Sequence, residues 1–481
     1  MPVTAAPAPP RARTLLDRLA ETDFSTGRPA LVLTAAFLAV RLPLLGGGYG
    51  ADTDAYRVVL AARYLWSHGE YLPSRLPGFP LHELVTALLV WGGPLLTNLS
   101  TTLAALIGVL VFARLVRRLR VPAPGLAVLG FAFTPYLIVT STSTLDYHWA
   151  LTALLTAYLL TVQGRARAAG LLVGLAVGFR ITSALFLLPL FLLLLRQQRG
   201  RDAALLVATA LTVAVVAYLP VAVPYRFRFL DYADSRVSPD GVIRVVGQWA
   251  LGATGALAVL AAVALSWRRV LTLPRAAAHD PHLLAWLLAV ALWTAAFLRL
   301  PVDLGYLVPV YPFGFLLLAV TLRRTLFAAV LAVILLAGVI DLDIQQLHNF
   351  DPHIAARTVR PSWRVAGLPY DQMARRRWVR YARAIPEAPV PEHSVVLTMG
   401  AFPDVVVLHW GRLRYAVVER DRRAISMLSD NGSLTDPARD VVYLAVSTPE
   451  ILARFRARGY ALFRAHPVGP GWERAELTPL P

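Results

Sequence analysis

Two aspartates, Asp52 and Asp54, stand two positions apart in the stretch GADTDAYRVV, residues 50–59. The stretch follows an apolar run that ends in three glycines, so both carboxylates fall where the chain is expected to leave a membrane. A carboxylate placed there can act as general base towards a hydroxyl group. The pair is therefore a candidate catalytic site, and salt bridging at the membrane interface is the alternative interpretation.

Further polar side chains are expected at the same outer face. A charge near the bilayer core is costly unless it faces water, a partner or a cavity. Arginines among these residues could bind a phosphate group with two parallel hydrogen bonds. We therefore expect acids and arginines from separate segments to converge and bind a phosphorylated substrate. The candidate substrate-binding residues are Arg41, Tyr56, Asp146, Arg180, Arg226, Arg228 and Arg299.

The composition identifies a membrane protein of many spans. Of 481 residues, 57% are hydrophobic and 16% are charged, and several apolar runs approach the roughly 20 residues that cross a bilayer core. The net charge of +18 could indicate nucleic acid binding, but many arginines lie in short loops between apolar runs, which fits membrane orientation better. Because the chain has no cysteine, disulfides and cysteine nucleophiles are excluded.

The apolar runs predict eleven spans, if the long run 169–195, interrupted at GFRIT, is counted as two. Arginines before the first span place the N-terminus in the cytoplasm. The apolar stretch 79–97 is interpreted as lying in or dipping into the outer interface, because the cluster RLVRRLR (114–120) then falls inside. The predicted spans are about 29–45, 99–115, 125–140, 149–163, 169–195, 202–224, 248–266, 283–299, 303–320 and 325–340.

The chain divides into three regions by composition. Residues 1–28 begin with a Pro- and Ala-rich stretch and are expected to form a disordered cytoplasmic tail, and 29–340 form the transmembrane domain. Residues 341–481 hold no spanning run; SVVLTMG, LRYAVVE, DVVYLAV and YALFRAH indicate strands, and PEILARFRARG indicates a helix. We expect a small extracytoplasmic α/β domain there, with a structural or acceptor-docking role.

The order of several motifs resembles the GT-C superfamily of integral-membrane glycosyltransferases, in its protein mannosyltransferase and aminoarabinose transferase branch. The acidic motif after the first span is followed by the Pro-rich turn RLPGFPL. The segment GLLVGLAVGFRITSALFLLPL resembles the broken helix of that branch, and DLGYLVPVYPF resembles a segment near the end of its membrane domain. The resemblance covers roughly residues 25–340 and implies a GT-C-like fold.

The resemblance also implies a reaction. Such enzymes transfer a sugar from a polyprenyl-phosphate carrier, outside the cytoplasm, to a lipid, glycan or protein. Their catalytic acid lies in the first outer loop, which implies this role for Asp52, with Asp54 as the alternative because DTD differs from the commoner Asp-Glu pair. The acid would accept the proton of the attacking acceptor, with inversion at the anomeric carbon. The leaving phosphate would be held by Arg180, Arg299 and either Arg226 or Arg228.

The expected partners are the polyprenyl-phosphate-linked sugar, the acceptor and the lipid bilayer of the cell membrane, and no nucleic acid. A divalent cation is compatible with the resemblance, because some relatives in the wider superfamily use one. The sequence itself shows no cluster of metal ligands.

A non-enzymatic lipid or glycan translocase, or a transporter, is the alternative function. Transporters place charged or unwound sites near the membrane midplane and often show repeat symmetry. Here the polar residues concentrate at one face, and 169–195 is the one interrupted span that the sequence indicates. This favours the transferase. A third hypothesis is an assembly scaffold that displays the α/β domain.

The predicted orientation can be tested by cysteine labelling because the chain has no native cysteine. The variant Arg456→Cys should react with a membrane-impermeant maleimide on intact cells, because the C-terminal domain is expected outside. The matched variant Arg13→Cys should react only after permeabilisation. If only the Arg13→Cys variant were labelled on intact cells, the protein would have the opposite orientation in the membrane.

Overall fold

The computed structural model describes residues 14–225, 250–299, 304–343, 362–417, 432–445 and 449–480. Most of the chain before residue 340 is helical. In chain order its helices are α1 (Leu15–Glu21), α2 (Gly27–Arg41), α3 (Thr53–His68), α4 (Pro80–Leu89), α5 (Gly93–Arg118), α6 (Pro124–Phe133), α7 (Pro135–Ser141), α8 (Tyr147–Val162), α9 (Ala166–Phe179), α10 (Leu187–Arg196), α11 (Gly200–Tyr225), α12 (Ala253–Leu265), α13 (Trp267–Val270), α14 (Leu273–His279), α15 (Pro281–Arg299), α16 (Val310–Thr321) and α17 (Arg324–Ala337).

Several of these helices are long and apolar enough to cross a membrane. By length and composition, the described residues contain 4 such helices, or up to 6 if each of two bent pairs is one span. The long helices lie in Gly27–Leu44, Pro80–Arg118, Gly200–Pro224 and Pro281–Arg299. The other predicted spans fall on the bent pairs or on apolar helices of 10–17 residues. The chain is a polytopic α-helical membrane protein, as its composition indicates.

The long apolar run 169–195 is broken where the sequence predicts. Helix α9 ends at Phe179, and Arg180 follows in an extended conformation with φ −155° and ψ 116°. A short 3-10 helix, Ile181–Phe186, then leads into α10. The extended residue ends the ladder of helical hydrogen bonds and separates two short helices.

The ambiguous stretch 79–97 forms α4 and the beginning of α5. A single 3-10 turn, Val90–Gly92, separates the two helices, and Gly93 then takes a positive φ of 63°. Helix α4 packs against α3, α9 and α11. Its position in the outer interface stays a prediction.

The C-terminal region is the expected α/β domain. Its six-stranded sheet has the order β4-β5-β6-β3-β7-β8, and β3 runs parallel to both β6 and β7. Strands β3 and β6 are buried along their whole length in the middle of the sheet. Their sequences, SVVL and VVYL, are mainly apolar, as is typical of a strand that is buried on both faces. The strands are β3 (Ser394–Leu397), β4 (Arg414–Val417), β5 (Gly432–Asp436), β6 (Val441–Leu444), β7 (Ala461–Val468) and β8 (Arg474–Pro479).

An antiparallel ladder lies at the junction between the helical part and this domain. Strand β1 (Ile340–Asp343) follows α17, and it pairs with β2 (Ser362–Val365). Three helices belong to the domain, and two of them pack against the helical part, α18 against α7 and α19 against α3. They are α18 (Gly367–Ala384), α19 (Phe402–Leu408) and α20 (Pro449–Ala457).

Close packing of α9 on α11 depends on glycine. A Cβ added at Gly174 would lie 2.5 Å from the Cβ of Val213 and 2.7 Å from the carbonyl oxygen of Ala210. Gly170 meets the carbonyl oxygen of Leu206 in the same way, at 2.4 Å. Small residues at this spacing let two membrane helices approach closely.

We expect Gly174→Ala to lower the melting temperature in detergent, because the new methyl group must push α9 away from α11. Gly314→Ala is the matched control: a Cβ at Gly314, within α16, meets no atom within 4 Å. That variant should be unchanged or more stable by about 0.5–1 kcal/mol, because alanine favours a helix over glycine. Equal melting temperatures for the two variants would contradict the close contact.

Candidate active site

The centre of the candidate site is a buried carboxylate, that of Asp146. Asp146 immediately precedes α8 and is 0% exposed. One of its oxygens, Oδ1, lies 3.2 Å from Nη2 of Arg75, and the other, Oδ2, lies 2.9 Å from Nη1 of Arg180. A buried charge is tolerated only when it is paired and hydrogen-bonded. Two guanidinium groups from separate segments provide that pairing.

The pairing continues to the start of α3. Nε of Arg75 lies 2.8 Å from Oδ2 of Asp54, and Oδ1 of Asp54 lies 3.0 Å from Nη1 of Arg57. We call the series Arg57–Asp54–Arg75–Asp146–Arg180 the ion-pair chain. It alternates in sign and connects α3, the turn before α4, the start of α8 and the break after α9.

Local structure explains where the two acids of the opening motif stand. Asp52 is the N-cap of α3, and its Oδ1 accepts a hydrogen bond from the backbone N–H of Asp54 at 2.9 Å. Capping of this kind satisfies a helix donor that lacks an intrahelical partner. Asp54 then falls in the first turn of α3, and its carboxylate faces Arg57 and Arg75. Asp52 is exposed, whereas Asp54 is half-buried.

Aromatic rings enclose the two inner arginines. The guanidinium carbon of Arg75 lies 4.0 Å from the ring centroid of Phe79. That of Arg180 lies 4.6 Å from the ring centroid of Tyr147 and 4.8 Å from that of Tyr306. Such contacts favour a cation over the ring face. Tyr306 belongs to the segment DLGYLVPVYPF, so a further part of the chain reaches the site.

Hydrogen bonds to Glu83 fix the turn that carries Arg75. This buried carboxyl accepts hydrogen bonds from the backbone N–H of Ser74 at 2.6 Å and from the hydroxyl of Tyr71. The hydroxyl of Tyr218 donates to the carbonyl oxygen of Gly78 at 3.0 Å, which ties the same turn to α11. Glu83 therefore positions the turn, and its oxygens are occupied by these contacts.

Electrostatics keep Arg75 charged. Burial alone lowers its pKa, but the carboxylates of Asp54 and Asp146 outweigh that effect, so the net pKa is raised above its usual value. One of its donor atoms, Nη1, is buried and has no hydrogen-bond partner among the described residues. Arg75 can therefore donate to an additional acceptor without leaving either aspartate.

The C-terminal domain covers the loops that carry these groups. Arg375 of α18 is 0% exposed and donates hydrogen bonds to the carbonyl oxygens of Thr142 and Val139, at 2.6 and 2.8 Å. It also donates to Oγ of Ser143 at 2.6 Å and pairs with Asp371 at 2.8 Å. These contacts add donors to carbonyl groups at the end of α7, where a helix runs out of regular intrahelical hydrogen bonds.

The other predicted site residues lie elsewhere. Arg41 is buried outside the ion-pair chain, where it donates to Oγ of Ser141 at 2.7 Å and to the carbonyl oxygen of Ala132 at 2.8 Å. Tyr56 is buried edge-on against Tyr49, with ring centroids 5.4 Å apart. Arg299 is the exposed last residue of α15. Arg226 and Arg228 lie outside the described residues.

Two members of the ion-pair chain were absent from the sequence-based candidates. Arg57 stands in the stretch GADTDAYRVV and Arg75 in the turn RLPGFPL, and both stretches had already been selected as motifs. The signal that would have found them is the burial of Asp146, because a buried carboxylate needs cations close by, and that burial is visible only in the structure. Among the described residues, no group of three or more histidine, aspartate or glutamate side chains converges to hold a metal ion.

Comparison with known proteins identifies the fold class. No protein-family profile matches the chain, and no curated protein sequence matches it. Among solved structures, the chain is similar in fold to two structures of one membrane protein. The structures concerned are those of ArnT from Cupriavidus metallidurans, one in the apo state and one bound to undecaprenyl phosphate.

The match to ArnT is long but distant in sequence. For both structures the TM-score is 0.55 at 14% identity, and the alignment covers 93% of this chain and 97% of the ArnT chain. The resemblance inferred from motif order is thus confirmed at the level of fold. It also extends beyond residue 340, the limit of the motifs, into the C-terminal domain.

We expect Arg75→Met to lower the free energy of unfolding by about 3–5 kcal/mol, because Asp146 would lose one of its two cations inside the protein. The control is Arg412→Met, which removes an arginine that is 57% exposed and lies 3.8 Å from Glu387. An exposed pair of this kind contributes about 0–1 kcal/mol. Melting temperatures in detergent measure both changes. A similar small shift for the two variants would mean that Asp146 does not depend on Arg75.

Proposed function

We propose that this protein is a glycosyltransferase that moves a sugar from a polyprenyl-phosphate carrier to an acceptor at the extracytoplasmic face of the cell membrane. The main support for this proposal is the ion-pair chain. It brings acids and arginines together beside the exposed Asp52, in a protein whose fold is similar to that of ArnT. One of the similar ArnT structures is bound to undecaprenyl phosphate, which supports a polyprenyl phosphate as the carrier.

Asp52 is the residue that we propose as general base. It is exposed at the start of α3, where an acceptor arriving from outside could reach it. Asp54 has a different role in this account, because its two oxygens already face Arg57 and Arg75 at 3.0 and 2.8 Å. Asp54 therefore anchors the two arginines instead.

Arg75 and Arg180 are the residues that we propose for the carrier phosphate. Both guanidinium groups are charged neighbours of Asp146, and both lie within reach of aromatic rings that exclude water. The unpartnered Nη1 of Arg75 supplies a donor for a phosphate oxygen. Positive charge placed in advance stabilises the phosphate as its negative charge grows in the transition state. Arg299, Arg226 and Arg228 stay candidates for the same role.

The proposed reaction is a single displacement with inversion. The acceptor oxygen forms a bond to the anomeric carbon while the bond between that carbon and the phosphate oxygen breaks. The acceptor proton passes to Asp52, and the polyprenyl phosphate leaves with the electron pair of the broken bond. Proton transfer to a positioned side chain contributes about 10²–10⁴-fold to the rate of such a step.

The helices offer apolar surface for a polyprenyl tail. Leu211, Val215, Leu219 and Val223 recur every four residues along α11 and are exposed. They therefore form one apolar stripe. Other residues of α11, Leu206, Ala210 and Val213, contact the glycines of α9. The stripe supports contact with lipid.

We expect Asp52→Asn to reduce the release of polyprenyl phosphate by about 10²–10⁴-fold, because the variant cannot accept the acceptor proton. Asp54→Asn should weaken the binding of the donor and raise its KM, because Arg57 and Arg75 lose their anchor. Purified protein in detergent would be assayed with a panel of polyprenyl-phosphate sugars.

Asp202→Asn provides the matched control. Asp202 lies in the first turn of α11, and Arg199 is its one ion-pair partner among the described residues. It should have the activity of the wild type. Full activity in both the Asp52 and Asp54 variants would refute the assignment of the base. A folded wild type that releases no phosphate from any donor would instead favour a translocase.

A further inference from the structure

Helix α19 of the C-terminal domain packs directly on α3, the helix that begins with the acidic motif. The contact continues beyond α19, where the guanidinium carbon of Arg63 lies 5.7 Å from the ring centroid of Trp410. On the neighbouring helix α18, Arg375 holds the loop after α7 through the hydrogen bonds described above. The first and second outer loops therefore both lie against the C-terminal domain.

One residue of α19 does not match its surroundings. The helix reads FPDVVVL, and within it Asp404 is the one polar residue. Asp404 is only 4% exposed, and its apolar neighbours Phe402, Val405 and Val406 are 0% exposed. A carboxyl group in this position costs stability unless it is uncharged or has a partner.

Two of the groups near Asp404, Asp52 and Arg57, belong to the candidate site. From α3, its electrostatic neighbours are Asp52, Tyr56 and Arg57. The other helix packed on α19 is α18, whose Asp371 and Arg375 are paired with each other at 2.8 Å. Helix α19 itself carries no further charged residue.

The charge state of Asp404 follows from this environment. Burial raises its pKa well above the usual value, and nearby Asp52 adds to the effect, whereas Arg57 lowers the pKa less. Asp404 thus keeps its proton at pH values where a solvated aspartate has lost it. A protonated carboxyl group can donate a hydrogen bond as well as accept one, whereas an ionised carboxylate can only accept. The protonated form also avoids repulsion between Asp404 and Asp52.

We propose that Asp404 is a positioning residue for the first outer loop: from the C-terminal domain it holds Asp52 and Arg57 in the arrangement that transfer requires. The C-terminal domain then completes the site and does more than dock the acceptor. This inference rests on the proposed function, in which Asp52 is the general base.

The test compares two substitutions of Asp404 in the full-length protein. Asp404→Asn keeps an uncharged group that can donate and accept hydrogen bonds, whereas Asp404→Leu keeps the volume and removes both abilities. Glu473→Gln is the control, because Glu473 is exposed in the same domain, 3.4 Å from Arg380 and far from the first loop in sequence. Release of lipid phosphate is followed across pH, with kcat and KM for the polyprenyl-phosphate sugar determined separately.

We expect Asp404→Leu to lower kcat at least tenfold with little change in KM, and Asp404→Asn to stay within about threefold of the wild type at neutral pH. The wild type should lose activity as pH rises through the pKa of Asp404, because the new charge repels Asp52 and draws Arg57 away. Asp404→Asn should lack this alkaline decline, and Glu473→Gln should retain it.

Thermal unfolding gives a second readout that does not need activity. The folded protein disfavours ionised Asp404, so stability is lost as pH rises above the unfolded pKa, roughly 4. Asp404→Asn should therefore melt at a higher temperature than the wild type at pH 7, and the difference should vanish towards pH 4. This separates a residue retained for its role from one that simply stabilises the domain.

The outcomes separate the two hypotheses. An active wild type together with an Asp404→Leu variant of unchanged kcat and unchanged pH profile would overturn the role of Asp404 and leave the proposed function intact. An Asp404→Asn variant that melts below the wild type at pH 7 would also overturn it, because Asp404 would then be a stabilising group. A folded wild type without transfer from any donor would refute the proposed function and this inference with it.

Discussion

The arrangement of the segments that form the candidate site depends on the burial of one carboxylate. Asp146 is 0% exposed, and a carboxylate removed from water requires cations close by. Arg75 and Arg180 meet that requirement only if the turn before α4 and the break after α9 both come to the start of α8. The same Arg75 then holds Asp54, so the beginning of α3 is fixed as well. One electrostatic requirement thus brings together segments that lie far apart in the sequence.

The break after α9 shows how backbone and charge act together. An arginine inside a continuous apolar helix would face either lipid or a neighbouring helix, and both placements are costly. Because the backbone at Arg180 is extended, its side chain leaves the helix and reaches Asp146 and two tyrosine rings. The interruption therefore converts an unfavourable intramembrane charge into a member of the candidate site.

Much of the architecture was predictable from the sequence, because it follows from hydropathy. The apolar runs, the interruption at GFRIT and the strands β3, β4, β6 and β7 were all anticipated. Two strands were not, β5 (Gly432–Asp436) and β8 (Arg474–Pro479), since neither has the apolar content of the central strands. Helix α19 was not anticipated, because a proline and an aspartate stand in its first turn.

The site was less predictable, because a residue type does not reveal its partner. Arg41 and Arg180 looked alike in sequence, each a lone arginine beside an apolar run. Arg180 meets a carboxylate, whereas Arg41 meets backbone carbonyl oxygen and a serine hydroxyl. Arg75 was missed for a different reason: it stands in a Pro-rich turn between helices, where an arginine commonly faces solvent. These distinctions arise from tertiary contacts that no local pattern records.

The most direct test of the account is a structure of the protein with a polyprenyl phosphate bound. We expect the phosphate within hydrogen-bond distance of Nη1 of Arg75 or of the guanidinium of Arg180, with Asp52 on its outer side. The Arg75–Asp54 contact should persist, because Asp54 positions that arginine. A phosphate bound away from both arginines, with the ion-pair chain unchanged, would show that the chain is a structural support and would contradict its proposed role in transfer.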